Sequence, residues 1–207
     1  MGEESEHVVK TQWGTVIEDP PVARFIFDDT RFAPVWLVVR VLVGLVWLES
    51  GLGKFGNPAW VQTGEALRGF WERAVAVPDA PARPAIAFDW YRNFLQGMLD
   101  SGAYVWFAKL VALGEFLVGV ALITGAFVGV AAFIGAFMNW NFIMAGSAST
   151  NALLGLGAIL LVLAWKTAGY YGLDRWLLPR LGTPWSPRPR PREAPDVGKE
   201  EKAPGVA

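Results

Sequence analysis

Apolar residues run almost unbroken through four stretches of the chain, and each stretch is long enough to cross ~30 Å of hydrocarbon at ~1.5 Å per residue. The first runs from Pro34 to about Phe55, the second from Tyr104 to about Thr124, the third from Phe127 to Gly146, and the fourth from Asn151 to Trp165 or slightly beyond. Segments such as FVGVAAFIGAFM and ALLGLGAILLVLAW are apolar on every side, so neither keeps a polar face for water. The pattern predicts an all-α integral membrane protein built as a bundle of four transmembrane helices, and disfavours a soluble helical bundle. Only Gly125 and Ala126 separate the second and third stretches, which predicts a tight antiparallel hairpin. Small residues recur inside the spans, at Gly129, Ala132, Gly135 and Ala136 and again at Gly155, Gly157 and Ala158. In lipid, where packing rather than water exclusion drives association, such positions let helix backbones approach closely.

The polar stretches divide the rest. Residues 1–33 form an N-terminal tail, 34–182 the membrane domain with a long connection at 56–101, and 183–207 a proline-rich charged tail. An even number of spans puts both termini on one side. The excess of Lys and Arg around them makes that side cytoplasmic and the 56–101 connection extracytoplasmic. Within that connection, Asn57 and Pro58 read as a helix cap and first turn, after which Trp60, Leu67, Phe70 and Trp71 share one helical face. A second helix around Asp89 to Leu99 places Tyr91, Phe94, Leu95 and Met98 on one stripe. Both read as amphipathic helices at the membrane interface, with Trp60, Trp71 and Tyr91 turned toward lipid or the bundle. GYYGLDRWLLPRLG after the fourth span reads as a short amphipathic element at the inner surface.

Composition supports a small polytopic membrane protein, expected in the plasma or inner membrane: 53% of the 207 residues are hydrophobic, only 18% are charged, and there are 11 Trp, a residue suited to the headgroup layer. A net charge of −1 gives no reason to expect a nucleic-acid partner. Cysteine is absent, which excludes disulfides, thiol relays, iron–sulfur clusters and cysteine zinc sites. The one histidine, His7, precedes the first span, so the spans cannot supply the ligands of a bis-histidine haem. No metal site is expected, and no redox cofactor is intrinsic to the chain. A bound quinone is the one candidate. The opening residues MGEESEHVVK are acidic and lead into no apolar core, so no cleavable signal peptide is visible.

Charged residues inside the spans require an explanation, because a charge at the bilayer centre costs ~2.5–3.5 kcal/mol on insertion scales. Arg40, Gly44, Trp47, Gly51 and Lys54 fall on one face of the first span, whereas Glu49 points roughly opposite. Counted inward from the ends of the spans, Glu49 lies ~9 Å and Lys109 ~8 Å deep, with Asn139 and Asn141 at ~11 and ~8 Å. Glu115 lies deeper, at ~17 Å, and Arg40 lies ~23 Å from Phe55. These depths predict that Glu49 faces Lys109 with Asn139 or Asn141 in reach, and that Arg40 approaches Glu115. Interior ionisable groups of this kind mark a ligand, proton or ion path, or else an ion-pair staple that fixes helix register.

The strings RVLVGLVWLESGLGKFGNPAWV, GEALRGFW, GEFLVGVALITGAF, MNWNFIMAGSAST and AGYYGLDRWLLPRLG, in that order from Val35 to Trp185, resemble the DoxX/DoxD family of small four-helix membrane proteins, and the DoxD-like branch most closely. That branch is linked to thiosulfate:quinone oxidoreductase, which oxidises thiosulfate to tetrathionate outside the membrane and passes electrons to quinone. The resemblance implies a membrane subunit of a quinone-linked oxidoreductase with thiosulfate as electron donor. Glu49 and Glu115 would then be catalytic, handling the protons of quinone reduction. Arg40, Lys54, Lys109, Asn139 and Asn141 would hold the anion or the quinone carbonyl. Other members of the family belong to membrane assemblies, which gives the alternative: a non-catalytic accessory or assembly subunit packed against a larger respiratory or photosynthetic complex. In either case the partners are the lipid bilayer and other membrane protein subunits. A small-molecule transporter ranks third, since no inverted repeat is evident.

Overall fold

The computed structural model describes residues 19–148 and 150–182, together with the backbone of two three-residue strands, Val9–Thr11 and Gly14–Val16, which pair antiparallel with Val9 opposite Val16. The C-terminal tail at 183–207 lies outside the described residues. All other regular structure described is helical. The helices are α1 (Pro21–Phe27), α2 (Ala33–Phe55), α3 (Pro58–Val61), α4 (Glu65–Val75), α5 (Asp89–Asp100), α6 (Tyr104–Thr124), α7 (Val128–Met144), α8 (Asn151–Leu163) and α9 (Asp174–Arg180).

Among the described residues two helices are long and apolar enough to cross a membrane: Thr30–Phe55, which includes the 3-10 turn ahead of α2, and Tyr104–Thr124. α7 and α8 are apolar but shorter, at 17 and 13 residues. Both are shorter than the sequence pattern predicts. At the start of α7, Phe127 takes a left-handed φ of 49° and so cannot begin the helix. Past Leu163 the chain goes on winding in hydrogen-bonded turns, with Ala164 N bonded to Leu160 O and Ala168 N to Ala164 O.

α2, α6, α7 and α8 pack around one core that contains Trp36, Trp47, Val118, Leu122, Ala132 and Leu161. Glycine sets the α2–α6 approach. A Cβ on Gly51 would lie 2.6 Å from Phe116 N, and one on Gly119 would lie 2.5 Å from Leu48 N, so the two backbones touch where no side chain intervenes. Gly44 meets Leu122 and Ile123 on the same seam. These pairs fix an antiparallel register in which Phe55 is level with about Ala112, so α6 extends ~12 Å beyond the end of α2.

The helices of the 56–101 connection cover that overhang, at the end of the bundle opposite α1 and α9. Trp71, Tyr91, Leu67, Leu95 and Ile86 are buried there against Ala108 and Ala145. Asn57 caps α3 as the sequence predicts, its Oδ1 accepting from Ala59 N at 3.0 Å. The helix then stops after one turn, so Trp60 and Trp71 do not share a continuous helix. Gly64 breaks it with φ 75°, where a Cβ would lie 2.6 Å from Tyr104 O. α1 folds back at the other end: Trp36 Nε1 donates to Ile26 O, Thr167 Oγ1 donates to Phe27 O, and Lys166 pairs with Asp28 at 2.8 Å.

Candidate functional site

The predicted face of the first span is present. Arg40, Gly44, Trp47 and Gly51 are buried, and Lys54 at its end is half-buried. Lys54 Nζ lies 2.6 Å from Glu115 Oε2 on α6, with side-chain exposures of 16% and 2%, so the carboxylate is enclosed while the ammonium retains an edge to the surroundings. Ser50, one turn back on α2, accepts a second hydrogen bond from Nζ at 2.8 Å. The Trp60 ring lies 4.9 Å from Nζ and offers a π face to the cation. Glu115 thus has a counter-ion close enough to offset much of its desolvation, and removing either partner would strand a buried charge.

Other polar groups reach the same level of the bundle. Gly114 of α6 faces Met138, and Gly135 of α7 faces Val118 and Trp47 Nε1, which places Asn139 within a turn of the level of Glu115. Asn139 is 0% exposed, and neither its Oδ1 nor its Nδ2 has a hydrogen-bond partner among the described residues. Trp47 Nε1 is buried and unpartnered too. Buried polar atoms are rarely left unsatisfied, and each such group costs ~1–3 kcal/mol. The mid-level of the bundle therefore holds an ammonium, a carboxylate, an amide and an indole N–H, the last two with unused hydrogen-bonding capacity.

The predicted pairings are corrected. Arg40 does not approach Glu115; it lies at the far end of α6, where its Nη1 donates to Leu122 O and Ile123 O and its Nη2 donates to Tyr171 O at 2.8 Å. Glu49 does not face Lys109. Both are exposed on the outside of the bundle, and neither makes an ion pair among the described residues. Counting depth from the ends of the spans treats those ends as level, whereas the glycine register displaces α6 by about eight residues relative to α2. That displacement brings Lys54 to Glu115, leaves Arg40 at the carbonyl end of α6, and separates Glu49 from Lys109 by ~13 Å along the bundle. Asn141 is outside the cluster as well. Its Nδ2 donates to Phe137 O, and its Oδ1 and backbone O accept from the Tyr91 hydroxyl at 3.2 and 3.1 Å, which ties α5 to α7.

Arg40 belongs to a separate clasp that the sequence reading did not foresee. Asp174, 1% exposed, accepts from Phe127 N and Val128 N at the start of α7, and the segment before it bonds back through Leu173 N to Thr124 O. Burial pushes the Asp174 carboxyl up, while the two amide bonds and the charge of Arg40 pull it down. Gly125 has to be glycine here: its φ is 71°, and a Cβ would lie 2.9 Å from the guanidinium carbon. Arg40 closes the carbonyl end of α6 and Asp174 the amide end of α7, so the pair is structural. The motif GYYGLDRW carried no spacing signal for this role. Ser50 could have been found four residues before Lys54, on the same helical face.

Among the described residues no group of three or more His, Cys, Asp or Glu could hold a metal ion. Compared with models of known families, with curated proteins and with solved structures, the chain matches none.

Proposed function

We propose that the chain is a four-span membrane subunit of a quinone-linked oxidoreductase of the DoxX/DoxD kind, in the plasma or inner membrane, with its termini cytoplasmic. Four helices rather than two are favoured by the outer surface of the bundle. Phe133, Phe137, Leu153, Leu156 and Ile159 of α7 and α8 are exposed like Leu42 and Leu117 of α2 and α6. A continuous apolar shell of this extent suits lipid and is unsuited to water. The turns after Leu163 lengthen the short fourth helix toward the thickness a bilayer requires.

The observation that carries the reading is the pairing of half-buried Lys54 with buried Glu115, at a level of the bundle close to that of the unpartnered polar atoms of Asn139 and Trp47. Two thiosulfate anions joined through a new S–S bond give tetrathionate and two electrons, and a quinone takes up those electrons with two protons. The chain's part is to hold the quinone and manage the protons. Lys54 and the Asn139 amide are donors suited to a carbonyl oxygen that gains negative charge, and Glu115 is a carboxyl suited to passing a proton. The half-buried edge of Lys54 is the access route. The test is thiosulfate-dependent quinone reduction by the full chain in membranes that contain its natural partners. Activity that rises with the amount of the chain supports the reading; none at any level refutes it.

A further inference from the structure

Glu49 has no use in the site above, and its position identifies a docking surface. It is exposed on α2, and Val38, Leu42, Leu45, Val46 and Leu52, all exposed and apolar, surround it on the same outward side. Its level matches that of Val118 on α6 and about Ile134 on α7, which sets it between the midpoints of α2 and α6, ~6–8 Å from each, and close to the midpoint of α7. A lone carboxylate facing lipid at mid-depth is strongly disfavoured. Its short stem cannot reach the ~9 Å to the end of α2, and Lys109, the outward cation on α6, lies ~13 Å away along the axis. Lys109 is five residues from the start of α6, and its longer stem reaches the interface.

One turn from Glu49, Gly53 has nothing within 4 Å of the place its Cβ would occupy, which leaves a notch on the outside of the helix. Such a notch admits a neighbouring helix backbone. We infer that this face of α2 docks a transmembrane helix of another protein subunit, one that carries a lysine or arginine within a turn of the level of Glu49. Charge complementarity selects this occupant over a second copy of the chain. A two-fold axis normal to the membrane would set Glu49 opposite Glu49, like charge against like. The inference depends on α2 lying in the bilayer and not on the redox reading, so either can fail alone.

The test uses the full chain in lipid nanodiscs, labelled on an added terminal cysteine, since the chain has none of its own. The probe is a leucine-rich transmembrane peptide with one central lysine, and binding is read by energy transfer. The lysine peptide should bind the wild-type chain at least tenfold more tightly than Glu49→Leu, and an all-leucine peptide should not distinguish the two. Moving the lysine three turns toward the peptide end should abolish the preference. Equal binding of the lysine peptide to wild type and Glu49→Leu would overturn the inference. So would self-association of the wild-type chain that Glu49→Leu removes, because the face would then pair copies of this chain.

Discussion

Replacing Gly119 by alanine tests the α2–α6 register on which the site depends. The added methyl would sit 2.5 Å from Leu48 N and 2.7 Å from Leu48 Cα, both backbone atoms that cannot swing aside. Reaching ordinary contact at 3.4 Å requires the helices to separate by ~1 Å over a seam that is otherwise close-packed. Overpacking of this kind costs ~1–3 kcal/mol, and the rigidity of the obstacle argues for the upper half of that range. Alanine regains ~1 kcal/mol of helix propensity, which leaves a net loss of ~1–2 kcal/mol. For a chain of this size that corresponds to a fall of roughly 2–8 °C in unfolding temperature. Gly53→Ala is the control: the same chemical change, made where nothing lies within 4 Å, should leave the isolated chain as stable or more so. Thermal unfolding in nanodiscs reads both. Gly119→Ala melting at or above wild type, or Gly53→Ala falling as far, would show that the backbones do not meet at these glycines.

Asp174→Ala removes the cap of α7 and the carboxylate near Arg40, and should lower stability by at least ~1–2 kcal/mol, read as a drop in unfolding temperature. Tyr91→Phe removes the hydroxyl that donates to Asn141 and should cost ~1 kcal/mol at neutral pH. Burial raises the Tyr91 phenol above its ordinary 10.0, so above pH 10 the unfolded chain gives up its proton first and stability declines as pH rises toward the folded value. Unfolding temperatures followed from pH 9 to 11 should show this decline in wild type, and a smaller one in Tyr91→Phe. Asn139→Leu replaces two unpartnered buried polar atoms by an apolar group of similar size. It should raise the unfolding temperature and, if the proposed quinone site is right, lower quinone reduction; a fall in unfolding temperature would mean that Asn139 is satisfied within the fold.

Helix positions were legible because apolar runs without a polar face leave few alternatives, and the boundaries of α2 and α6 fall within about one residue of the expected ones. The buried face from Arg40 to Lys54 was legible too, since the helical period alone assigns residues to sides. The partners across helices were not. Pairing depends on how far one helix slides along another, and that offset is set by Gly44, Gly51 and Gly119 meeting backbone, a property of two surfaces rather than of either string. The Arg40–Asp174 clasp was hidden for a related reason: its members are far apart in sequence and meet only because the 171–174 segment bonds back to the α6–α7 turn. At the break the glycine itself was the visible signal, but that Gly64 ends the helix rather than being tolerated within it depends on the approach of Tyr104, which the string 57–75 does not contain.

The reading of the Lys54–Glu115 pair as a working site is tested most directly by Glu115→Gln, which keeps the side-chain shape and an acceptor for Lys54 but carries no transferable proton. Activity and unfolding temperature are measured on the same preparation. If Glu115 handles protons, thiosulfate-dependent quinone reduction falls by roughly 10²-fold or more while the protein still unfolds cooperatively as a helical bundle. Full activity with only a lowered unfolding temperature would contradict that role and leave the pair as a staple between α2 and α6.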